Sequence, residues 1–548
     1  MKTGAVKAAR TTSKDPNATE VIAGALLAAG VSRMFAYPGD PVIELMQQCD
    51  SRGIEVTLAR REGTAAFMAE ALAMRTGGFG VCVSTLGPGS TALVNGVAAA
   101  TLDRVPMLAF SGQIEASREP FFTHQVINHH QLYAPVTKWA GRLEPGSIAT
   151  TLRKAFSLAM AERPGAVHLT INADVSKKPA GDCEFVMPPL QPQLRSVQVS
   201  AADGADPLSV LSRARRPVVL AGIGALRAGA TAALTEFAEG IGAPVVVSAM
   251  AKGVFPEDHP LFAGVLDMAC NQLLWRFLAD ADLVVAAGFD AVELIRPWTI
   301  RTPVLHVAAT PNTDQIYASE CECVGDIGAV LGWFSGQWSG QPRWSDSEVA
   351  EHRSRLRDAY YAGRVTGRLN PTDVVDIVRA AMPREAVATT DVGSHKLLVG
   401  QGWQTYEPRT MLMTNGLSAM GFGVPAAMAA AMADPARPAV AIVGDGGFAM
   451  TATEVGLAAS MELPVVFVVL IDGSLNRIEL KQKALGYPSV ATRLEDTDLV
   501  RLAEAMNCEG VRVASAAELE TALEKPGALR QPLVIEARID PSQYESQF

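Results

Sequence analysis

Two carboxylates set among glycines are the residues best suited to chemistry in this chain. The apolar run 439–443 leads into Gly444-Asp445-Gly446-Gly447, and a second apolar run, 464–471, ends at Asp472-Gly473-Ser474. Near-continuous apolar runs of this kind suit parallel strands buried on both faces. Each acid therefore falls at the carboxyl end of a predicted strand, just ahead of a helix, where ligands bind in open α/β sheets. Glycines let the backbone approach a diphosphate, and helix N-termini favour its charge. Asp445 and Asp472 offer the hard oxygens that Mg²⁺ takes, and the metal would neutralise the phosphates. An ordinary pair of βα turns in a nucleotide-binding sheet has the same pattern, so the chemistry needs a second half elsewhere.

The elements that must position these residues fall into three units. Residues 16–178 alternate strands and helices. A strand at 34–37 enters Pro38-Gly39-Asp40-Pro41, a strand at 54–58 precedes an alanine-rich helix at 62–74, and a strand at 80–84 runs into the loop 85–90. Strands at 105–111 and 165–171 complete the unit. A Pro-rich linker at 177–194 precedes strands at 217–221, 243–248, 283–288 and 304–307. A second linker, 335–347, leads to the third unit, whose low-charge run 414–433 reads as a buried, glycine-led helix rather than a membrane span. Repeated βα units predict an α/β protein of three doubly wound parallel-sheet domains, at 16–180, 195–335 and 365–540, behind a flexible tail at 1–15. Similar unit sizes suggest that two of them are related by duplication.

Composition narrows the class. Apolar residues are 49% of the 548 and charged residues 19%, which supports large buried cores. A net charge of −10 argues against nucleic acid or an anionic membrane as partner. The seven cysteines lack zinc spacing and the N-terminus has no apolar signal segment, so the expected location is cytoplasmic.

The GDG turn, its spacer and the second polar turn resemble the motif of thiamine diphosphate (ThDP) enzymes, with Ile471-Asp472 where Asn-Asn is usual. Arg61-Glu62-Gly63-Thr64-Ala65-Ala66-Phe67-Met68-Ala69 resembles the RHE-x-x-A-A-x-M-A pattern of acetolactate synthases, and Ala36-Tyr37-Pro38-Gly39, the run 84–91, Phe122-Thr123-His124-Gln125, Asp391-Val392-Gly393-Ser394-His395 and the run from Thr414 are similar to segments of the same family. The central unit and Glu479 to Gln482 also match. The resemblance, closest to the FAD-independent catabolic acetolactate synthases, implies pyrimidine-binding, central and diphosphate-binding domains.

It further implies roles. Glu62 would activate the cofactor through the pyrimidine N1′, its pKa raised by burial against the ring. Pro38, Gly39, Gly87 and Pro88 would pack over the pyrimidine, Met420 would wedge the two rings apart, and the Ser418 carbonyl would meet the 4′-amino group. Gly393, Ser394, His395, Gly444, Asp445, Gly446, Gly447, Asp472, Ser474, Leu475 and Asn476 would hold the diphosphate, with Mg²⁺ on Asp445, Asp472 and Ser474. Glu62, His124, Gln125, Arg477 and Gln482 would face the reaction. The implied activity is decarboxylation of a 2-oxo acid, pyruvate first, and transfer of the resulting enamine to a second carbonyl compound. The alternative is a non-oxidative 2-oxo acid decarboxylase or another ThDP lyase with a polar or anionic substrate. The site would be shared in a homo-oligomer, a dimer at least, with tetramers common.

Three departures bear on the outcome. Ile478 stands where pyruvate-decarboxylase-like enzymes carry a proton-transferring Glu, which favours carboligation. Arg477 replaces an apolar pocket residue, often Met, and suits a carboxylate, sulfonate or phosphate. Asn128-His129-His130 differs from the usual Asp-Asn and offers a proton-transfer alternative. The central unit leaves FAD open, with Arg227 to touch a phosphate, but does not favour it, because Gly222-Ile223-Gly224 lacks the third glycine of a full fingerprint.

Overall fold

Continuous apolar runs form the inner strands of three sheets, as burial on both faces requires. The computed structural model describes residues 16–181, 185–189, 198–201, 204–338, 344–524 and 530–547. The tail at 1–15, Cys183 and parts of both predicted linkers lie outside these residues. The chain divides into two compact units, up to Pro192 and from Gln193 onward. The first sheet belongs to the first unit and the other two sheets to the second.

The first sheet runs Glu55–Leu58, Arg33–Tyr37, Gly80–Ser84, Met107–Gln113, Ala166–Asn172, Trp139–Arg142. The third runs Met411–Met413, Val387–Thr390, Ala439–Gly444, Val465–Ile471, Leu533–Arg538, Glu509–Val513. Every pairing in both is parallel. Numbered within its own unit, each sheet has the order 2-1-3-4-6-5. The two units thus share one topology.

The central sheet runs Phe262–Leu266, Val245–Ser248, Pro217–Ala221, Leu283–Ala287, Val304–Ala308, Ser319–Val324, with Gln198–Ala201 added antiparallel at the edge. Without that edge strand it has the order 3-2-1-4-5-6 of dinucleotide-binding folds. Alternate residues of Pro217–Ala221 enter two separate buried clusters, Val219 and Ala221 in one, Val218 and Leu220 in the other, so apolar groups cover both faces. A buried ion pair, Lys252 Nζ to Glu257 Oε1 at 2.6 Å, joins this sheet to the third domain, because Thr405 N donates to Glu257 Oε2 at 3.1 Å. Burial lowers the Lys252 pKa and raises that of Glu257, and their attraction opposes both shifts.

Three local expectations change. The helix predicted over 414–433 starts only at Gly423 and ends at Ala433. Ser418 and Gly421 before it have φ of 54° and 82°, a left-handed backbone that a right-handed helix cannot include. Helices Ile327–Gln337 and Asp346–Tyr360 extend into both ends of the predicted second linker. The strands Trp139–Arg142, Gln198–Ala201 and Glu509–Val513 were not anticipated; each is a short edge strand without a continuous apolar run.

Candidate active site

In a sheet of order 2-1-3-4, the chain leaves the first and third strands in opposite directions and opens a crevice at their carboxyl ends. In the third sheet those strands are Val387–Thr390 and Ala439–Gly444, and their exits are the loops 391–395 and 444–447. The crevice is lined by Gly393, Ser394, His395, Met420, Gly444, Asp445, Gly446, Gly447, Asp472, Ser474, Leu475, Asn476 and Arg477 among the residues expected from sequence. Val392, Leu470, Ile478 and Tyr544 complete its wall.

Its floor leaves no room for side chains. A Cβ on Gly447 would lie 2.1 Å from Asp391 Oδ2, and one on Gly446 would lie 2.9 Å from Leu475 Cδ2 and 3.3 Å from Met420 Cε. Asp391 is fully buried; its Oδ2 accepts from Gly421 N at 2.8 Å and its Oδ1 meets His395 Nε2 at 3.0 Å. This carboxylate therefore ties the Met420 loop to the His395 turn. Ser394 Oγ donates to Asn476 Oδ1 at 2.8 Å, closing the crevice across its mouth.

The acids sit above the floor. Asp445 Oδ2 accepts from Gly473 N at 2.8 Å and Asp472 N at 3.3 Å, and Oδ1 from Gly446 N at 2.8 Å. Burial raises the Asp445 pKa against these donors. Asp472 is pushed up to about 7 by burial and then by the charge of Asp445. Two carboxylates in a half-buried crevice, one raised by the charge of the other, call for a cation. Among the described residues no cluster of three or more His, Cys, Asp or Glu forms a metal cage. Two carboxylates beside a phosphate cradle suit Mg²⁺, which keeps waters and phosphate oxygens as further ligands. The glycine floor and the donor set therefore fit a magnesium diphosphate.

Ser418 and Gln482 are not among the lining residues. Ser418 Oγ donates to Asn415 O at 2.7 Å. Gln482 donates to Val490 O at 3.0 Å and accepts from Val490 N at 3.1 Å, bracing the loop beyond its helix. Tyr544, which the sequence reading missed, is buried in the turn Pro541–Ser546. Its hydroxyl pKa is raised well above the usual value by burial and by the charges of Asp472 and Asp445. The one signal available was the parallel strand Leu533–Arg538, which ends at the same sheet edge beside Val465–Ile471.

The first unit repeats the crevice between Arg33–Tyr37 and Gly80–Ser84. A Cβ on Gly39 would lie 2.0 Å from Thr85 Oγ1, and one on Gly89 would lie 3.1 Å from Glu62 Oε1. Gly87, at φ 51°, is pressed against Gln125, where a Cβ would lie 2.7 Å from its carbonyl oxygen. Pro38, Gly39, Glu62, Gly87, Pro88 and Gln125 thus gather at one edge. Glu62 is half-buried at the first position of helix Glu62–Thr76, while Pro38, Pro88, His124 and Gln125 are exposed. His129 and His130 turn elsewhere: His129 Nδ1 meets Thr170 Oγ1 at 3.1 Å, and His130 Nδ1 meets Ala140 O at 3.1 Å. Burial pulls the His129 pKa down to about 4.

The central sheet has its own switch-point crevice, between Pro217–Ala221 and Leu283–Ala287, and a side chain fills it. Glu293 Oε1 accepts from Ile223 N at 2.8 Å and from Ser248 Oγ, and Oε2 accepts from Asp290 N at 2.8 Å. A Cβ on Gly222 would lie 2.4 Å from Glu293 Oε2, and one on Gly224 would lie 2.7 Å from Gly288 O. The turn that would cradle a dinucleotide phosphate already holds a carboxylate, so these residues do not fit FAD there.

Comparisons with known proteins agree with this layout. The family "Thiamine pyrophosphate enzyme, N-terminal TPP binding domain" matches residues 16–134, its central domain residues 205–333, and its C-terminal TPP binding domain residues 391–537. The chain is 30% identical to the acetolactate synthase isozyme 3 large subunit of Escherichia coli (strain K12), over 92% of this chain and 91% of that one. It is 28% identical to a probable acetolactate synthase large subunit of Methanocaldococcus jannaschii, over 96% and 92%. It is 26% identical to an acetolactate synthase of Bacillus subtilis (strain 168), over 95% and 93%.

Proposed function

Because the chain belongs to the thiamine pyrophosphate enzymes, the family that includes the acetolactate synthases, we propose that it is a ThDP- and Mg²⁺-dependent carboligase that decarboxylates pyruvate and joins the remaining fragment to a second carbonyl compound. The observation that carries this reading is the glycine-floored crevice with Asp445 and Asp472 at its rim. Asp445, Asp472 and the Ser474 backbone would hold Mg²⁺. The turns at 393–395 and 444–447 would hold the diphosphate through backbone N–H groups, and Met420 would set the ring geometry. ThDP, when bound, supplies a carbon nucleophile able to accept the electron pair left by CO₂.

The chain's own residues would do the rest. Glu62 would hold a proton between its carboxyl oxygen and the pyrimidine nitrogen. Ile478, 51% exposed at the mouth, carries no transferable proton, which favours carbon–carbon bond formation over protonation of the intermediate. Large apolar side chains are exposed in both units, among them Tyr37, Ile43 and Leu58 in the first and Met450, Leu485, Tyr487 and Val490 in the second. They support a homodimer or tetramer in which Glu62 of one subunit completes the crevice of another. Glu293 supports a central domain without flavin. Among the described residues no helix is long and apolar enough to cross a membrane, and a cytoplasmic location accords with the free cysteines.

The test is incubation with pyruvate, ThDP and Mg²⁺ and identification of the product. 2-Acetolactate is expected. Acetaldehyde in its place would make the chain a decarboxylase, and absence of CO₂ release would remove pyruvate as donor.

A further inference from the structure

We propose that a second cavity, at the opposite end of the helix Ser394–Gly402 from the crevice, binds an organic phosphate, with the phosphate on Arg353 and Arg357 and a flat or apolar body along the strand Phe262–Leu266, and that the occupant tightens cofactor binding. Only its effect on the cofactor rests on the reading of the crevice as the ThDP site. The cavity lies within the second compact unit, where three elements meet. The strand Phe262–Leu266 is an edge of the central sheet. The helix Asp346–Tyr360 is pinned to it by His352 Nε2, which donates to Ala263 O at 2.9 Å, and to the helix Ser394–Gly402 by the Tyr360 hydroxyl, which donates to Leu398 O at 3.3 Å. Gln401 closes the triangle by accepting from Val265 N at 3.3 Å through its Oε1. The space between them is about 600 Å³, inside the range of roughly 300–1,000 Å³ typical of small-molecule sites.

The walls carry more donors than acceptors. Arg353 and Arg357 both line the cavity, four residues apart on one helix face, a spacing at which like charges repel. Arg353 Nη1 donates to His259 O at 3.0 Å and Pro260 O at 3.2 Å, which fixes its guanidinium. Arg357 forms no ion pair among the described residues. Gln401 Nε2 and the Ser354 hydroxyl, also in the walls, have no acceptor among the described residues. The neighbouring carboxylates are engaged or distant. Glu257 is neutralised by Lys252 Nζ at 2.6 Å and accepts from Thr405 N at 3.1 Å, and Asp258 pairs with Arg384 at 2.8 Å. Asp346 opens the helix, seven residues before Arg353 and roughly 10 Å from it along the axis.

An anion of charge two would relieve the repulsion between the arginines. Burial and then the charge of Arg357 lower the Arg353 pKa, with Asp258 opposing, which accords with that need. Two guanidinium forks match the charge and the tetrahedral oxygens of a phosphate. Leu261, Phe262, Val349 and Tyr361 in the same walls suit an apolar or aromatic body. A single helix joins this cavity to the crevice: Ser394 and His395 at its N-terminus line the crevice, and Gln401 and Gly402 at its C-terminus line the cavity. A Cβ on Gly402 would lie 1.9 Å from the Tyr360 hydroxyl oxygen, so the helix bearing the arginines rests directly on the helix bearing the diphosphate turn. A ligand that bridges Arg353, Arg357 and Gln401 fixes both.

The experiment has two arms. In the first, calorimetry titrates the full chain, with ThDP and Mg²⁺ present to occupy the crevice, with phenyl phosphate, adenosine 5′-monophosphate and orthophosphate. One of the two esters should bind roughly tenfold or more tighter than orthophosphate, as burial of its body implies; the tighter one separates a small aryl phosphate from a nucleotide as the ligand. Arg357→Glu and Arg353→Met should each weaken that binding roughly tenfold or more, as loss of a charge-assisted bond implies. Arg357→Lys, which keeps the charge and loses the fork, should retain part of it. Thermal midpoints check that the variants are folded. Esters that bind no tighter than orthophosphate, or binding unchanged in both arginine variants, would overturn the site. In the second arm, the ThDP dissociation constant is measured by quenching of protein fluorescence with and without a saturating concentration of the tighter ester. It should fall by about fivefold or more in wild type and stay constant in Arg357→Glu. Unchanged or weakened ThDP binding in wild type would overturn the coupling. A chain that binds no ThDP at all would instead sink the cofactor reading, and the effect of the arginine variants on ester binding would still decide the site.

Discussion

Asp445 uses both carboxylate oxygens to hold the second turn in place, accepting from Gly446, Asp472 and Gly473, while keeping lone pairs for a cation. Among the described residues, Glu62 makes no comparable set of bonds to its crevice floor. The two acids should therefore fail differently. Asp445→Ala should lose Mg²⁺-dependent retention of ThDP, read by cofactor fluorescence after gel filtration. Glu62→Gln should keep the cofactor but slow C2–H/D exchange by about 10²–10⁴, the range for a positioned proton-transfer group. Exchange at the wild-type rate would remove Glu62 from its assigned task. At this scale the glycines and acids of the site were legible because strand-end turns restrict residue choice so sharply: Gly447 and Gly39 have no space for a Cβ. Tyr544 was not, because its place depends on where the chain end returns. Gln482 was placed by the resemblance of its run to a family helix, and resemblance does not reveal that both ends of its amide bond to Val490.

Between elements, the helix His129–Tyr133 packs on the strand Ala166–Asn172 through aromatic rings rather than aliphatic groups. Tyr133 stacks on His168 with centroids 3.6 Å apart, and His129 meets His168 edge-on at 5.7 Å. Burial pulls His129 from 6.5 down to about 4, with Glu119 opposing and Arg142 assisting, and it pulls the buried His168 well below its usual value. Both rings are thus held neutral in the fold while the unfolded chain protonates them. Between pH 6.5 and 4 the unfolded state binds more protons, so stability falls as the pH falls through that window. Thermal midpoints of wild type should drop between pH 7 and pH 5, and His129→Gln should flatten part of that slope. An equal slope in the variant would show that His129 is not responsible. The inner strands around this contact were readable from their largely apolar sequence, which is buried at every position. The edge strands were not: Trp139–Arg142 has one buried residue in four, and pairing rather than composition makes it a strand.

At the scale of the whole molecule, two sheets of identical strand order each offer a crevice at the same topological position, one with Glu62 and one with Asp445. If the first crevice of one subunit completes the second crevice of another, two inactive chains should rescue each other. Co-assembly of Glu62→Gln with Asp445→Ala should restore about a quarter of wild-type activity, since half of randomly paired dimers are mixed and each has one intact site of two. Activity no higher than that of either variant alone would place both acids in one chain's site. The third crevice, in the central sheet, has a different consequence. With Glu293 bonded to Ile223, Ser248 and Asp290, its phosphate position is satisfied from within the chain. On the function proposed above, maturation would call on thiamine and magnesium without riboflavin, and a cell starved of that vitamin would be expected to assemble the active enzyme still.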